Sequence, residues 1–363
     1  MSSGKHRSSF LLGVSALVIG MAALVFISGP QSDMAKTNHI SGIPTDSPST
    51  TRTSDRGPSK PSSGGSHSGL AEKLNALLAE ADERDQSEVL YDLMLEAPLE
   101  EVRELLALSD GTEEYSAGFR EEMKLAAFER WHHLDPAEAL RAIAASSLSA
   151  DRRDSRIELY LEDWAGRAPQ EVRAFLQEEG LAGVSQDVID CALARGAAAS
   201  GERAMFEDAL GRIEEPKRRN FTIKSVARTL QRDHEALFDA WVPTLPSEDQ
   251  ATAIAESAWM LVDQDPDRAL ARLDQLEELG TDELSVTRSR VAVKWTRKDP
   301  VKAGQWVLTQ NLVAEEREEL VSLVFKVWMS KDRDAAVAWA EDSIKRGAMD
   351  EAFMNRVAER LQP

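Results

Sequence analysis

A short motif recurs along the chain at nearly constant spacing, and that recurrence limits the fold more than any other feature. It is clearest at Trp295-x-x-x-Asp299-Pro300-x-x-Ala303-x-x-Trp306. Asp299-Pro300 reads as a helix start: an aspartate side chain caps free backbone N–H groups, and proline fits the first turn, where its missing N–H costs nothing. Val291, Ala292 and Trp295 lie three or four residues apart and share one face of the helix that ends there. Ala303 and Trp306 fall on the buried side of the helix that begins. Equivalent helix starts are Ala97, Asp135, Ala168, Ser200, Asp233, Asp265, Asp299 and Asp332, spaced by 32 to 38 residues. Proline follows at Pro98, Pro136, Pro169, Pro266 and Pro300. A period near 33 is the length of a two-helix unit.

Two further slots travel with the motif. Four residues before the helix start stands a large apolar residue, Leu93, Trp131, Trp164, Leu261, Trp295 or Trp328, with Gly196 and Thr229 as exceptions. Four residues after it comes a small one, Ala139, Ala204, Ala269, Ala303 or Ala336. A small side chain there lets the paired helix approach closely while the tryptophan fills the space beside it. Breaks between the units fall at Gly180-Leu181-Ala182-Gly183, Pro216, Pro246-Ser247, Gly280-Thr281 and Gly347. Ser247 with Gln250 matches a capping box, and Thr281 suits the start of the helix after Gly280. No run of period-two alternation appears, and Ala, Leu, Glu and Arg dominate the second half, a mixture that favours helix. The expected fold is all-α: an α-solenoid of about eight helical hairpins over residues 70–363, with Leu361 beginning one more first helix.

Asp299-Pro300-x-x-Ala303-x-x-Trp306 is similar to the junction between tetratricopeptide repeats, where a DP turn leads into a helix carrying Ala and Trp. Asp135-Pro136-x-x-Ala139 and Asp265-Pro266-x-x-Ala269 share the shorter part, and Asp332 with Ala336 and Trp339 keeps it without the proline. The resemblance covers most of residues 90–361. It departs from the family where Val307-Leu308-Thr309 replaces the expected Leu-Gly pair, and in the tryptophan that precedes each DP. A TPR-like superhelix of a divergent class is what it implies, together with a groove for peptide segments of partner proteins.

Ahead of the repeats, residues 10–27 form an apolar run of 18 residues preceded by Lys5, His6 and Arg7. At ~1.5 Å per residue it just spans a bilayer core, and the basic flank favours a cytoplasmic start. The run is longer than a usual signal core and no A-x-A site follows, so an uncleaved signal anchor over 10–28 is expected over a cleaved signal peptide. Residues 1–9 are then cytoplasmic and the repeats periplasmic or extracellular. Of the 41 residues from 29 to 69, 26 are Ser, Thr, Pro or Gly, which predicts a disordered linker.

Residues 1–69 carry six Lys/Arg against three Asp/Glu, and residues 70–363 carry 37 against 60, a net of −23. Such a balance argues against nucleic acid as a partner and favours a basic protein or peptide. Cys191 is the sole cysteine, so no intrachain disulfide or Cys-x-x-Cys centre can form, and a buried structural thiol is its expected role. Among the eight tryptophans, Trp131, Trp164, Trp295 and Trp328 share one slot and Trp306 and Trp339 another, which suggests core packing over an aromatic cage. Trp241 and Trp259 lie outside both slots and are expected to be exposed.

His132-His133 beside Asp135 raises a metal reading, but neighbours on a helix point about 100° apart, and both are expected in the turn. The carboxylate pairs Glu121-Glu122, Glu178-Glu179, Glu277-Glu278, Glu315-Glu316 and Glu318-Glu319 could serve a glycosidase only if placed across a cleft. Helix starts and solvated faces account for them equally well. There is no phosphate loop, no G-x-S-x-G and no H-E-x-x-H, so no catalytic, cofactor-binding or metal residues are assigned and no cofactor is expected. The expected function is a membrane-anchored, non-enzymatic scaffold that binds partner proteins on its helical-repeat surface. Two alternatives stay open: an α/α-toroid polysaccharide hydrolase or lyase, and an envelope structural protein that assembles with copies of itself.

Overall fold

The computed structural model describes residues 68–80, 86–111 and 115–360; the expected anchor, nearly all of the linker, and Leu361 lie outside them. The described residues are all-helical, with 18 α-helices, one 3-10 turn and no strand. No helix among them is long and apolar enough to cross a membrane. The chain forms two compact units.

The first unit holds α1 (Ser68–Glu80), α2 (Gln86–Leu95), α3 (Leu99–Gly111), α4 (Ala117–Leu134), α5 (Pro136–Ala144), and parts of α6 (Ala150–Arg167) and α7 (Pro169–Glu178). Here α4 packs on α2, α3 and α5. Its core is built from Leu90, Leu105, Met123, Phe128, Leu140, Ile143 and Tyr160.

The second unit holds residues 161–174 and the helices from residue 185 onward. These are α8 (Gln186–Ser200), α9 (Arg203–Arg212), α10 (Pro216–Asp233), α11 (Glu235–Trp241), α12 (Ser247–Leu261), α13 (Pro266–Leu279), α14 (Glu283–Lys298), α15 (Pro300–Thr309), α16 (Ala314–Lys331), α17 (Arg333–Lys345) and α18 (Glu351–Arg360). Each first helix packs on its own second helix and on the next first helix, in the order α8, α10, α12, α14, α16, α18.

The junction geometry recurs because the same chemistry recurs. Asp135, Asp265, Asp299 and Asp332 sit at φ −139 to −150° and ψ 83 to 95°. Each donates its N–H to the carbonyl four residues back, closing one helix. Its carboxylate accepts the N–H three residues on (Glu138, Arg268, Lys302 or Ala335), opening the next. Both orphan sets of a helix break are thereby satisfied by one residue. His234 repeats the first half of this, donating to Leu230 O at 2.8 Å, without a side-chain cap. The helix starts read at Ser200 and Asp233 therefore move: α8 runs through Ser200 to a left-handed Gly201, Glu202 caps α9, and His234 caps α11. With that shift Ala204 is exposed and Phe206 takes the buried place. Ser247 and Thr281 do not cap their helices by side chain; the capping positions are Pro246 and Asp282.

Tryptophan fills the core as the slots suggest. Trp295 meets Trp306 with ring centroids 5.8 Å apart, and Trp328 meets Trp339 at 5.5 Å, within the range of favourable aromatic pairs. Gly304 leaves room for the next hairpin, since a Cβ there would lie 2.9 Å from the Trp339 ring. Basic side chains also tie one period to the previous one. Arg130 donates to Ala97 O at 2.9 Å, Lys294 to Trp259 O at 2.7 Å, Lys331 to Arg297 O at 2.7 Å, and Lys298 to Asp263 O. Donor and acceptor stand 33 to 35 residues apart, so carbonyls at one unit's turn are capped by the next unit.

Candidate functional site

In the second unit α12 differs from its neighbours. Residues 251–258 are buried without interruption, so the helix is enclosed on every side for two turns. Small residues make this possible: Ala251, Thr252, Ala253, Ala255, Ser257 and Ala258 let α10 and α14 come close. One charge lies among them. Glu256 is 3% exposed and receives Arg228 of α10 on Oε1 at 3.0 Å, with Arg290 of α14 near Oε2 at 3.5 Å. Two guanidinium groups share one carboxylate, which leaves an uncompensated positive charge over the centre of the helix.

One turn further along, Trp259 is half-buried. Lys294 Nζ sits 4.0 Å from its ring centroid and the Arg290 guanidinium 5.5 Å away, both within cation–π range. Lys294 also pairs with Asp263 at 2.8 Å. The exposed stripes of α10 and α14 flank α12. Phe221 is 62% and Val286 55% exposed, and Lys224 and Arg297 make no ion pair among the described residues. The result is a surface strip in which basic side chains of α10 and α14 cover the buried Glu256 and border Trp259, with apolar residues toward one end.

A concavity of about 710 Å³ lies where α11, the 3-10 turn Val242–Thr244, α12 and α13 meet. Ile254, Val242 and Leu279 give it an apolar base. Its cations are already engaged: Arg272 pairs with Asp239 at 2.6 Å and covers the Phe238 ring at 4.9 Å, and Arg268 pairs with Glu235.

The residues singled out in the sequence do not converge on one site. His132 and His133 belong to the last turn of α4, not to the turn after it. His132 is buried and stacks on Tyr160 at 4.6 Å, while His133 Nε2 faces Glu129 at 3.6 Å, so the two rings point to different neighbours. Tyr160 donates to Glu129 at 2.8 Å; burial, reinforced by that carboxylate, pushes its phenol far above the ordinary value. No group of three metal-ligating side chains occurs among the described residues.

In each carboxylate pair one member is held by an arginine. Glu121 takes Arg152, Glu179 takes Arg141 through two hydrogen bonds at 2.6 and 2.8 Å, Glu277 and Glu316 share Arg288, and buried Glu318 takes Arg356. The Arg141 guanidinium holds the Glu179 carboxyl below its usual value. Cys191 is buried. Trp241, expected at the surface, is fully buried against Phe206 at 5.5 Å and Phe238 at 6.4 Å. Trp259 alone of the two reaches solvent. The Arg228–Glu256–Arg290 bridge was not anticipated, although a single glutamate inside an Ala/Ser run carries the signal of a buried, partnered charge.

Comparison with protein-family models, with curated proteins and with solved structures finds no match for the chain.

Proposed function

We propose that the chain is a non-enzymatic interaction scaffold, a TPR-like α-solenoid tethered to the membrane by residues 10–28 and held in the periplasm or outside the cell. The observation that carries this reading is the serial packing of first helices in the second unit. Their outer faces carry Phe221, Trp259, Val286 and two cations outside every described ion pair, Lys224 and Arg297. One carboxylate of each adjacent pair is engaged by an arginine. A net charge of −23 on residues 70–363 favours basic segments for the acidic surface at large, through steered encounter.

The test is crosslinking in intact cells, followed by capture of the full chain and of residues 70–363. A common set of protein partners, lost to rising salt where the contact is electrostatic, is the expected result. Turnover of a cell-wall glycan by purified residues 70–363 would replace this reading with an enzymatic one, and capture of copies of the chain alone would replace it with a self-assembling structural role.

A further inference from the structure

We infer that the basic strip over α12 takes an acidic, extended peptide segment of a partner protein, opposite in charge to what the domain as a whole attracts. The inference rests on the scaffold reading and assigns one of its surfaces. Arg228 is 46% exposed at its side chain and spends two of its five N–H donors on Glu256; Arg290 spends one, at a long 3.5 Å. The remaining donors have no described acceptor and suit the fork geometry of an incoming carboxylate. Lys224 stands one turn from Arg228, and Arg297 two turns from Arg290 with Lys294 between them.

Spacing selects the form of the ligand. Cations four residues apart on a helix are separated by ~6 Å along its axis. Alternate side chains of an extended strand recur every ~6.6 Å. A strand lying along this strip with Asp or Glu at every second position therefore keeps step with the cations of either helix, Lys224 and Arg228 on α10 or Arg290 and Arg297 on α14. Phe221 and Val286 lie toward the N-terminal ends of the two flanking helices, where they offer an apolar contact to one hydrophobic residue at the segment's end. Strongly exposed aromatic and β-branched side chains bordering unneutralised charge fit a docking edge. Nucleic acid meets the same cations, but the surrounding net of −23 repels a polyanion longer than the strip.

The probe is a fluorescein-labelled peptide in which Glu alternates with Thr behind a single Leu. Its binding to the full chain in neutral detergent is read by anisotropy, beside a peptide with Lys in place of Glu. Lys224→Glu combined with Arg297→Glu is expected to weaken the acidic peptide at least tenfold and leave the Lys peptide unchanged. Arg297→Gln alone is expected to weaken it by a smaller factor. Both positions lie outside the core and every described ion pair, and circular dichroism verifies the fold. Equal affinity of wild type and double variant, or tighter binding of an oligonucleotide of matched charge, would overturn the inference. A photo-crosslinker at Val286 separates it from the scaffold reading. Cellular partners that attach elsewhere but never at Val286 would leave the scaffold standing and remove the strip as its site for acidic segments.

Discussion

In the α14–α15 hairpin Trp295 stands four residues before the capping Asp299, and Ala303 four residues after it. In the α8–α9 hairpin the corresponding places around Glu202 are held by Ala198 and Phe206, and all four side chains are buried. Bulk has moved from the first helix to the second. The reason lies in what each first helix meets. Gly196 brings α8 so close to residues 162–166 that an added Cβ would lie 2.6 Å from Ala165 Cβ and closer still to the Glu162 carbonyl. On the other face of α8 the small Ala198 stands in the slot, and Phe206 fills the core from α9, with Trp241 edge-on from α11. The total volume is kept while the identity at each slot is not, as dense packing requires.

The sharpest way to break this comparison is to empty the two kinds of hairpin. Trp295→Ala and Trp241→Ala are each expected to cost ~3–5 kcal/mol, the usual range for a buried aromatic. Trp259→Ala, which removes a half-exposed ring, should cost ~1–2 kcal/mol. Urea midpoints of the three variants decide it. A small loss at Trp241 would mean that the degenerate hairpins are not packed by exchanged bulk.

Close approach gives the next largest effect. Gly196→Ala is expected to lose ~1–3 kcal/mol by forcing a helix contact apart, against a helix-propensity gain of up to ~1 kcal/mol. Gly211→Ala, with nothing within 4 Å of the added Cβ, should show the gain alone. Thermal melts of the pair separate crowding from propensity.

Capping distinguishes the hairpins more gently. Asp299 caps Lys302 N–H at 3.1 Å, whereas Glu202 makes no side-chain cap. Asp299→Ala should cost ~1 kcal/mol, and Glu202→Ala should fall within ~0.5 kcal/mol of wild type.

The smallest effect belongs to the exposed Arg141–Glu179 pair of the first unit. Its carboxyl is held below the ordinary value of 4.5 by the Arg141 hydrogen bonds, so its contribution is present above that pH and is lost as pH falls through the lowered folded value. Glu179→Gln should flatten the stability–pH curve slightly in acid and leave neutral stability nearly unchanged, because solvent screens the pair.

Much of this architecture is legible in the residues themselves. Asp-Pro junctions, tryptophans at fixed offsets and glycine breaks gave the all-helical organisation. Those signals are local, acting within one turn of the chain: a cap bonds three residues on, and a proline removes its own donor. His132 and His133 diverge as neighbours on any helix must, whereas Glu179, Glu316 and Glu318 find their arginines 28 to 38 residues away.

Other features were settled only by what lies across space. Ser200 and Asp233 look like helix starts until the close contact at Gly196 and the left-handed Gly201 set the register one or two residues later. Trp241 carries no slot signature, and its burial comes from Phe206 on α9 and Phe238 on its own helix, α11. Glu256 is an isolated acid in the sequence, and it becomes a buried bridge because α10 and α14 each bring an arginine to it. Capping and helix propensity are decided by neighbours in the chain, whereas volume and charge compensation are shared among helices about 30 residues apart and have no address in any single segment.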